Sequence, residues 1–185
     1  MLGGMERMLK AVRGAAFALG LLGAATARAE AQSPPADPPP PASLDNHDVE
    51  AWAAAYLHTE GWTLLTHDLE GAHLTSANAP LTISGGVVEA DIRTELFRPV
   101  EVAPGPARSG VARWSVDCNR NRLAVLSMTV YTHNNLQGEL ARKPRTARTW
   151  QEPNESEAVT IGVICKVARS GRPPEPRPLA PIKPS

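Results

Sequence analysis

Proline limits what this chain can build. Six prolines fall between Pro34 and Pro41 and six more between Pro173 and Pro184, twelve of the 18 in the sequence. Each proline fixes φ and removes a backbone donor, so neither stretch can form a helix interior or a central strand. Both favour extended polyproline II chain. What is left to fold runs over residues 44–168, about 125 residues, enough for one domain with a real core.

The ends outside that segment have their own signatures. Residues 1–31 read as a secretory signal peptide. Arg7, Lys10 and Arg13 lead into an apolar run over residues 15–27 that is too short to span a bilayer. Ala27 and Ala29 suit cleavage before Glu30; Ala29 and Ala31 suit cleavage before Gln32. Met5 and Met8 are alternative starts. No cysteine closes the apolar run to take a bacterial lipid. The expected mature chain is periplasmic, secreted or at the cell surface, with no transmembrane segment. Residues 32–43 read as a Pro-rich linker that can hold the domain away from a surface, at roughly 3.1 Å per residue. Residues 169–185 read as a disordered tail with Arg172, Arg177 and Lys183 between prolines, the other reading being a PxxP ligand.

Charge excludes one class of function. The 19 basic residues match 19 acidic ones, and the sequence pI is near 7.0. Loss of the signal removes four of the basic and two of the acidic residues, leaving 15 against 17. A dedicated nucleic-acid binder needs a basic surplus for its phosphate contacts, so no nucleic-acid partner is expected.

The folded segment reads mostly as strand. Residues 46–58 place Val49, Trp52, Ala53, Tyr56 and Leu57 on one helical face, with Asp45 as cap, predicting a short amphipathic helix. Residues 62–67 give a first strand, ending in a turn over 68–71. Residues 81–83 give a short strand before Gly85-Gly86, which reads as a hairpin turn rather than an anion cradle. Residues 87–97 alternate, with Glu89, Asp91, Arg93 and Glu95 on a wet face and Val88, Ala90, Ile92, Thr94 and Leu96 on a core face. Residues 99–109, holding Pro104-Gly105-Pro106, read as a loop. Residues 111–118 put Ala112, Trp114, Val116 and Cys118 on one face. After a turn over 117–122, residues 123–132 send Leu126, Met128 and Val130 one way and Val125 and Tyr131 the other. Residues 157–167 are divided. Val159, Thr160, Ile161, Val163 and Ile164 favour strand, whereas Asn154 and Glu157 form an approximate capping box with Ala158, Ile161, Cys165 and Ala168 on one helical stripe.

Little chemistry is written in the motifs. His47, His58, His67, His73 and His133 make no HxxxH or HExxH, and the nearest approach to a metal set is His67-Asp68 with His73. These read as ordinary loop residues, so no metal or cofactor is expected. Ser109, Ser115 and Ser127 lack a nucleophile elbow. Paired carboxylates for a hydrolase would have to meet in space from Glu89, Asp91 or Asp117, and no spacing favours it. Asn154-Glu155-Ser156 matches a glycosylation sequon, but it reads as the helix cap. Arg142, Lys143, Arg145 and Arg148 surround Pro144 just before Trp150. That cluster reads either as a solvated loop or as a docking patch for a polyanion, with Trp150 able to stack on sugar or to face the core. The chain's two cysteines, Cys118 and Cys165, follow an export signal and read as a disulfide.

Gly61-Trp62 opening a strand, Trp114-Ser115-Val116-Asp117-Cys118 on another, Arg120 and Arg122 leading into residues 123–131, Trp150, and Cys165 after a start containing Ser156 form a pattern. It resembles the surface-adhesin protein E family over about residues 61–167. The resemblance implies an α+β fold: an antiparallel β-sheet with a C-terminal helix tied to it by a disulfide, here Cys118 to Cys165. The short N-terminal helix, the proline-rich arms and the missing lipidation cysteine depart from the family pattern. Family members are associated with bacterial surface adhesion through host matrix and serum proteins, and some are lipoproteins. The resemblance thus implies a non-enzymatic binding module whose partner is a host matrix protein, a polyanion or a cell-envelope component. The alternative is a periplasmic structural or assembly domain held in an envelope complex by its proline-rich arms.

Overall fold

The computed structural model describes residues 37–79 and 81–170. The proposed signal over residues 1–31, residues 32–36 of the linker and residues 171–185 of the tail lie outside them. Helix α1 spans Asn46–Tyr56. Strands β1 (Trp62–His67), β2 (Gly71–Ser76), β3 (Ile83–Ser84), β4 (Val87–Val102), β5 (Gly105–Asp117), β6 (Arg122–His133) and β7 (Gln137–Lys143) follow, and helix α2 covers Glu155–Ser170. All pairings are antiparallel, in the order β1-β2-β4-β5-β6-β7, with β3 beside β4. The expected sheet with its two helices is borne out. Among the described residues no helix is long and apolar enough to cross a membrane.

Both helix caps are as read. Asp48 N–H donates to the Asp45 carboxylate at 2.8 Å. At α2 the capping box closes both ways: Glu157 N–H donates to Asn154 Oδ1 at 2.8 Å, and Asn154 N–H to Glu157 Oε2 at 2.8 Å. Satisfying these end donors decides the divided residues 157–167 for helix, against their β-branched composition. The Gly85-Gly86 turn takes φ of 57° and 84°, as a two-residue hairpin between β3 and β4 requires.

Three readings are corrected. Residues 99–109 are not a loop: β4 runs on to Val102 and β5 starts at Gly105. Pro99 is accommodated because the β4–β5 register shifts between Glu95 and Val100, where the ladder needs no donor from it. Secondly, β6 does not alternate throughout. Trp114 pairs with Val125 and Ala112 with Met128, so a bulge at Leu126 puts Val125 and Met128 on the same face. Thirdly, the wet face of β4 is not wet along its length, because Arg93 (2% exposed) and Glu95 (0%) are buried.

The two sheet faces carry separate cores. On one, α2 lays Ile161, Ile164, Cys165 and Ala168 over Val88, Ala90, Ile92, Trp114, Val116 and Leu123. This helix is held at both ends. Its first turn is tied by the Ser156 hydroxyl to Asp68 in the β1–β2 turn, whose Oδ2 also accepts from His73 Nε2 at 3.0 Å. Its last turns are tied by the Cys118–Cys165 disulfide and by Arg169 donating to the Cys118 carbonyl at 3.0 Å. On the other face α1 packs Val49, Trp52, Ala53 and Leu57 on Ala72, Leu74 and Phe97.

Beside α1 lies a buried polar knot. Arg93 Nε donates to Glu95 Oε1 at 2.6 Å, and its Nη1 to the His58 carbonyl at 2.7 Å. Glu95 also accepts from Asn134 Nδ2 at 2.9 Å and from Asn135 N–H at 3.0 Å. The Asn135 side chain accepts from His58 N–H at 2.7 Å and donates to the Tyr56 carbonyl at 3.0 Å. The exit of α1, the middle of β4 and the β6–β7 turn are therefore one unit. Desolvation pushes the Glu95 carboxyl above its ordinary range, and Arg93 with the Asn134 and Asn135 bonds reverses this only in part.

Three outcomes follow from these contacts. The 47-residue separation of the cysteines sets the disulfide's contribution at about 4 kcal/mol by chain entropy. Reduction should lower the denaturation midpoint accordingly, and mass spectrometry of unreduced protein should show no alkylatable thiol; two such thiols would remove the bridge. Arg93→Ala strands the buried Glu95 carboxylate and should cost about 3–5 kcal/mol; a loss within experimental error of zero would show that the pair is not coupled. Asp68 is pushed up by desolvation, but its bonds from His73 and Ser156 outweigh this and hold it well below the ordinary carboxylate range. Its contribution is thus present above the unfolded-state value and lost as pH falls below about 4. Asp68→Asn should cost about 1–2 kcal/mol at neutral pH, and the gap to the parent should close in acid. A gap that is constant from neutral pH down to pH about 2 would show that the charge is not what holds α2.

Candidate functional site

After β7 the chain runs alongside β6 and is held at two points. Thr146 N–H donates to the carbonyl of the bulged Leu126 at 2.7 Å, and Leu123 and Gln151 exchange backbone bonds at 3.0 and 2.8 Å. The bulge that breaks the alternation of β6 thus supplies an acceptor for this segment. Between the two anchors the chain carries Arg148 and Trp150, and Arg145 comes immediately before the first.

These side chains meet the half of the sheet face that α1 leaves open. Arg148 donates to Glu89 Oε1 at 2.9 Å, and Arg145 approaches Glu89 Oε2 at 3.6 Å. Arg113 on β5 reaches Asp91 at 3.0 Å and Glu89 at 3.4 Å. The Trp150 ring has the Arg148 guanidinium 5.4 Å from its centroid and that of Arg122 at 5.5 Å. Arg122 lies opposite Asp117 in the ladder, 3.5 Å from its carboxylate. The result is a charged surface built around a half-buried indole flanked by arginines. Arg142 is not part of it. It sits on β7 and pairs with Glu139 at 2.6 and 3.0 Å. Lys143, at the end of β7, lies opposite Met128.

The electrostatics are those of a mixed surface rather than a basic one. Arg113, Arg120, Arg122, Arg145 and Arg148 share Glu89, Asp91 and Asp117. Desolvation pushes Glu89 up, but the hydrogen bonds from Arg148 and Arg113 more than offset it, leaving the carboxyl below its ordinary value. Exposed pairs of this kind contribute little to stability. Their guanidiniums therefore remain available to a competing carboxylate or carbonyl at small cost.

Sequence reasoning missed Glu89, Asp91, Arg113, Asp117 and Arg122 as parts of this surface. A signal existed in the strand register: with β4 and β5 read as one hairpin, Asp91 faces Arg113 and Glu89 faces Ser115. Reading residues 99–109 as a loop hid it. His67, Asp68 and His73 are not gathered into a site either. His67 Nε2 bonds Asn46 Oδ1 at 3.1 Å, while His73 lies between Asp68 and Thr94. Among the described residues no group of three His, Cys, Asp or Glu could hold a metal ion.

A model of the surface-adhesin protein E family matches residues 62–166 of the chain. No curated protein matches it. Solved structures that resemble it include the crystal structure of protein E from non-typeable Haemophilus influenzae. That structure is 16% identical with a TM-score of 0.39, over 57% of this chain and 76% of that one. A further structure of Haemophilus influenzae protein E is 15% identical with a TM-score of 0.39, over 59% of this chain and 87% of that one.

Proposed function

The chain belongs to the surface-adhesin protein E family, and from that premise we propose that it is an exported, non-enzymatic binding module. Its docking face is formed by Arg145, Arg148 and Trp150 together with Arg122. The observation that carries this reading is the Trp150 indole held between two guanidiniums on a rigid sheet face. Tryptophan and arginine dominate the binding energy of protein interfaces, and a surface already fixed by the sheet loses little conformational freedom on docking. The shared carboxylates argue for a protein partner in the matrix or envelope that offers both carboxylates and apolar area. A polyanion held by bulk charge alone would have to overcome Glu89, Asp91 and Asp117. Arg142 and Lys143 belong to the same basic segment in sequence but not to this face, since Arg142 is held by Glu139 and Lys143 lies opposite Met128.

The test is binding of the oxidised, exported full chain to purified matrix proteins, an acidic polysaccharide and envelope extract, at low and physiological salt. Saturable binding to a matrix or envelope protein is expected. Trp150→Ala combined with Arg148→Ala should weaken it at least about tenfold, while Arg142→Ala changes it by less than about threefold. Binding that survives the double substitution would remove this face as the docking site. Capture from envelope extract alone, dependent on residues 32–42 or 171–185, would favour the assembly-domain reading instead.

A further inference from the structure

The proline-rich segment before α1 does not simply leave the domain. The indole Nε1–H of Trp52 donates to the Pro39 carbonyl at 2.6 Å. Pro38 and Pro41 are half-buried, whereas Pro39 and Pro40 between them are exposed. A three-residue repeat of contact is the period of a polyproline II helix, which turns the same edge inward every third residue. The receiving surface is aromatic. Trp52 stands edge-on to Phe97 with ring centroids 5.1 Å apart, and Tyr56 lies 6.4 Å from it on the same face of α1, 44% exposed. An indole N–H directed at a proline carbonyl beside aromatic rings, with prolines three apart facing inward, is the chemistry by which polyproline II ligands are recognised.

We propose that the Trp52–Tyr56 face of α1 is a binding site for polyproline II segments, closed in cis by residues 38–41. Its second occupant is the C-terminal segment of this same protein. Pro178, Pro181 and Pro184 repeat in sequence the spacing of Pro38 and Pro41, the spacing that puts prolines on one edge of a polyproline II ligand. Arg177 and Lys183 flank these prolines. Only residues 42–45 separate the docked prolines from α1, so the cis segment works at an effective concentration of about millimolar or above, and a second ligand gains the site when that segment is released. The site lies apart from the Trp150 surface and does not depend on what that surface binds.

The experiment follows the Trp52 indole proton by NMR in the oxidised full mature chain, assigned by its disappearance in Trp52→Phe. If that variant does not fold, its Overhauser contact to Phe97 gives the assignment. In the parent the proton should be shielded from exchange. Pro38→Gly/Pro41→Gly combined with Pro178→Ala/Pro181→Ala/Pro184→Ala should expose it. A synthetic peptide of residues 173–184 should then restore the shielding saturably, and bind this variant at least about tenfold more tightly than the parent, whose cis segment competes. Three results would overturn the proposal: an indole proton that stays shielded with both proline sets removed, a peptide that leaves the Trp52 resonance unmoved, or a peptide with its prolines replaced by alanine that works as well.

Discussion

Burying an arginine and a glutamate side by side on a sheet is costly unless every remaining donor and acceptor finds a partner. Here the partners come from three places that are far apart in sequence: the exit of α1, the β6–β7 turn and β4 itself. The pair therefore does more than tie two side chains together. It determines where α1 must end, since the Tyr56 and His58 carbonyls have to meet Asn135 and Arg93. It also divides the sheet face in two. On one side α1 covers the sheet with an apolar contact; on the other the same row of β4 emerges as Asp91 and Glu89, half-exposed and facing arginines. A charged surface can sit beside a core on one face because the buried pair marks the boundary between them.

That boundary explains the character of the candidate surface. A segment without regular structure would ordinarily present its arginines in many arrangements and lose much entropy on binding. Anchors at Leu126 and at Leu123 hold it, and stacking on Trp150 orders Arg122 and Arg148 further. Shared carboxylates reduce the long-range field, so the surface discriminates at contact distance more than it attracts from afar.

Much of this architecture was legible in the sequence, and the failures have physical reasons. The cap at Asp45, the box at Asn154 and Glu157, the Gly85-Gly86 turn and the apolar face of β5 each follow from local chemistry, and each appears as read. Two strands escaped notice. β2 has Ala72, Leu74 and Thr75 buried on both faces and so shows no alternation, while β7 is an edge strand with polar residues along most of its length. The wet reading of β4 held at Glu89 and Asp91 and failed at Arg93 and Glu95, because a charged pair is buried only when distant segments supply its partners. No local pattern records Asn134 and Asn135 meeting Glu95. For the same reason Arg142, Lys143, Arg145, Arg148 and Trp150 read as one patch in sequence, yet only Arg145, Arg148 and Trp150 converge. Register, not proximity in sequence, decides which side chains meet.

The disulfide has a mechanical consequence. Tension applied to the chain at residues 38 and 170 passes through α1 and strands β1 to β5, reaches Cys118, crosses the covalent bridge to Cys165 and leaves through the last turn of α2. Everything between those cysteines lies on a slack bypass: β6, β7, the bulge at Leu126 and the segment carrying Arg145, Arg148 and Trp150. A pull on both ends of the domain can shear its first strands without stretching the segment that carries Arg145, Arg148 and Trp150.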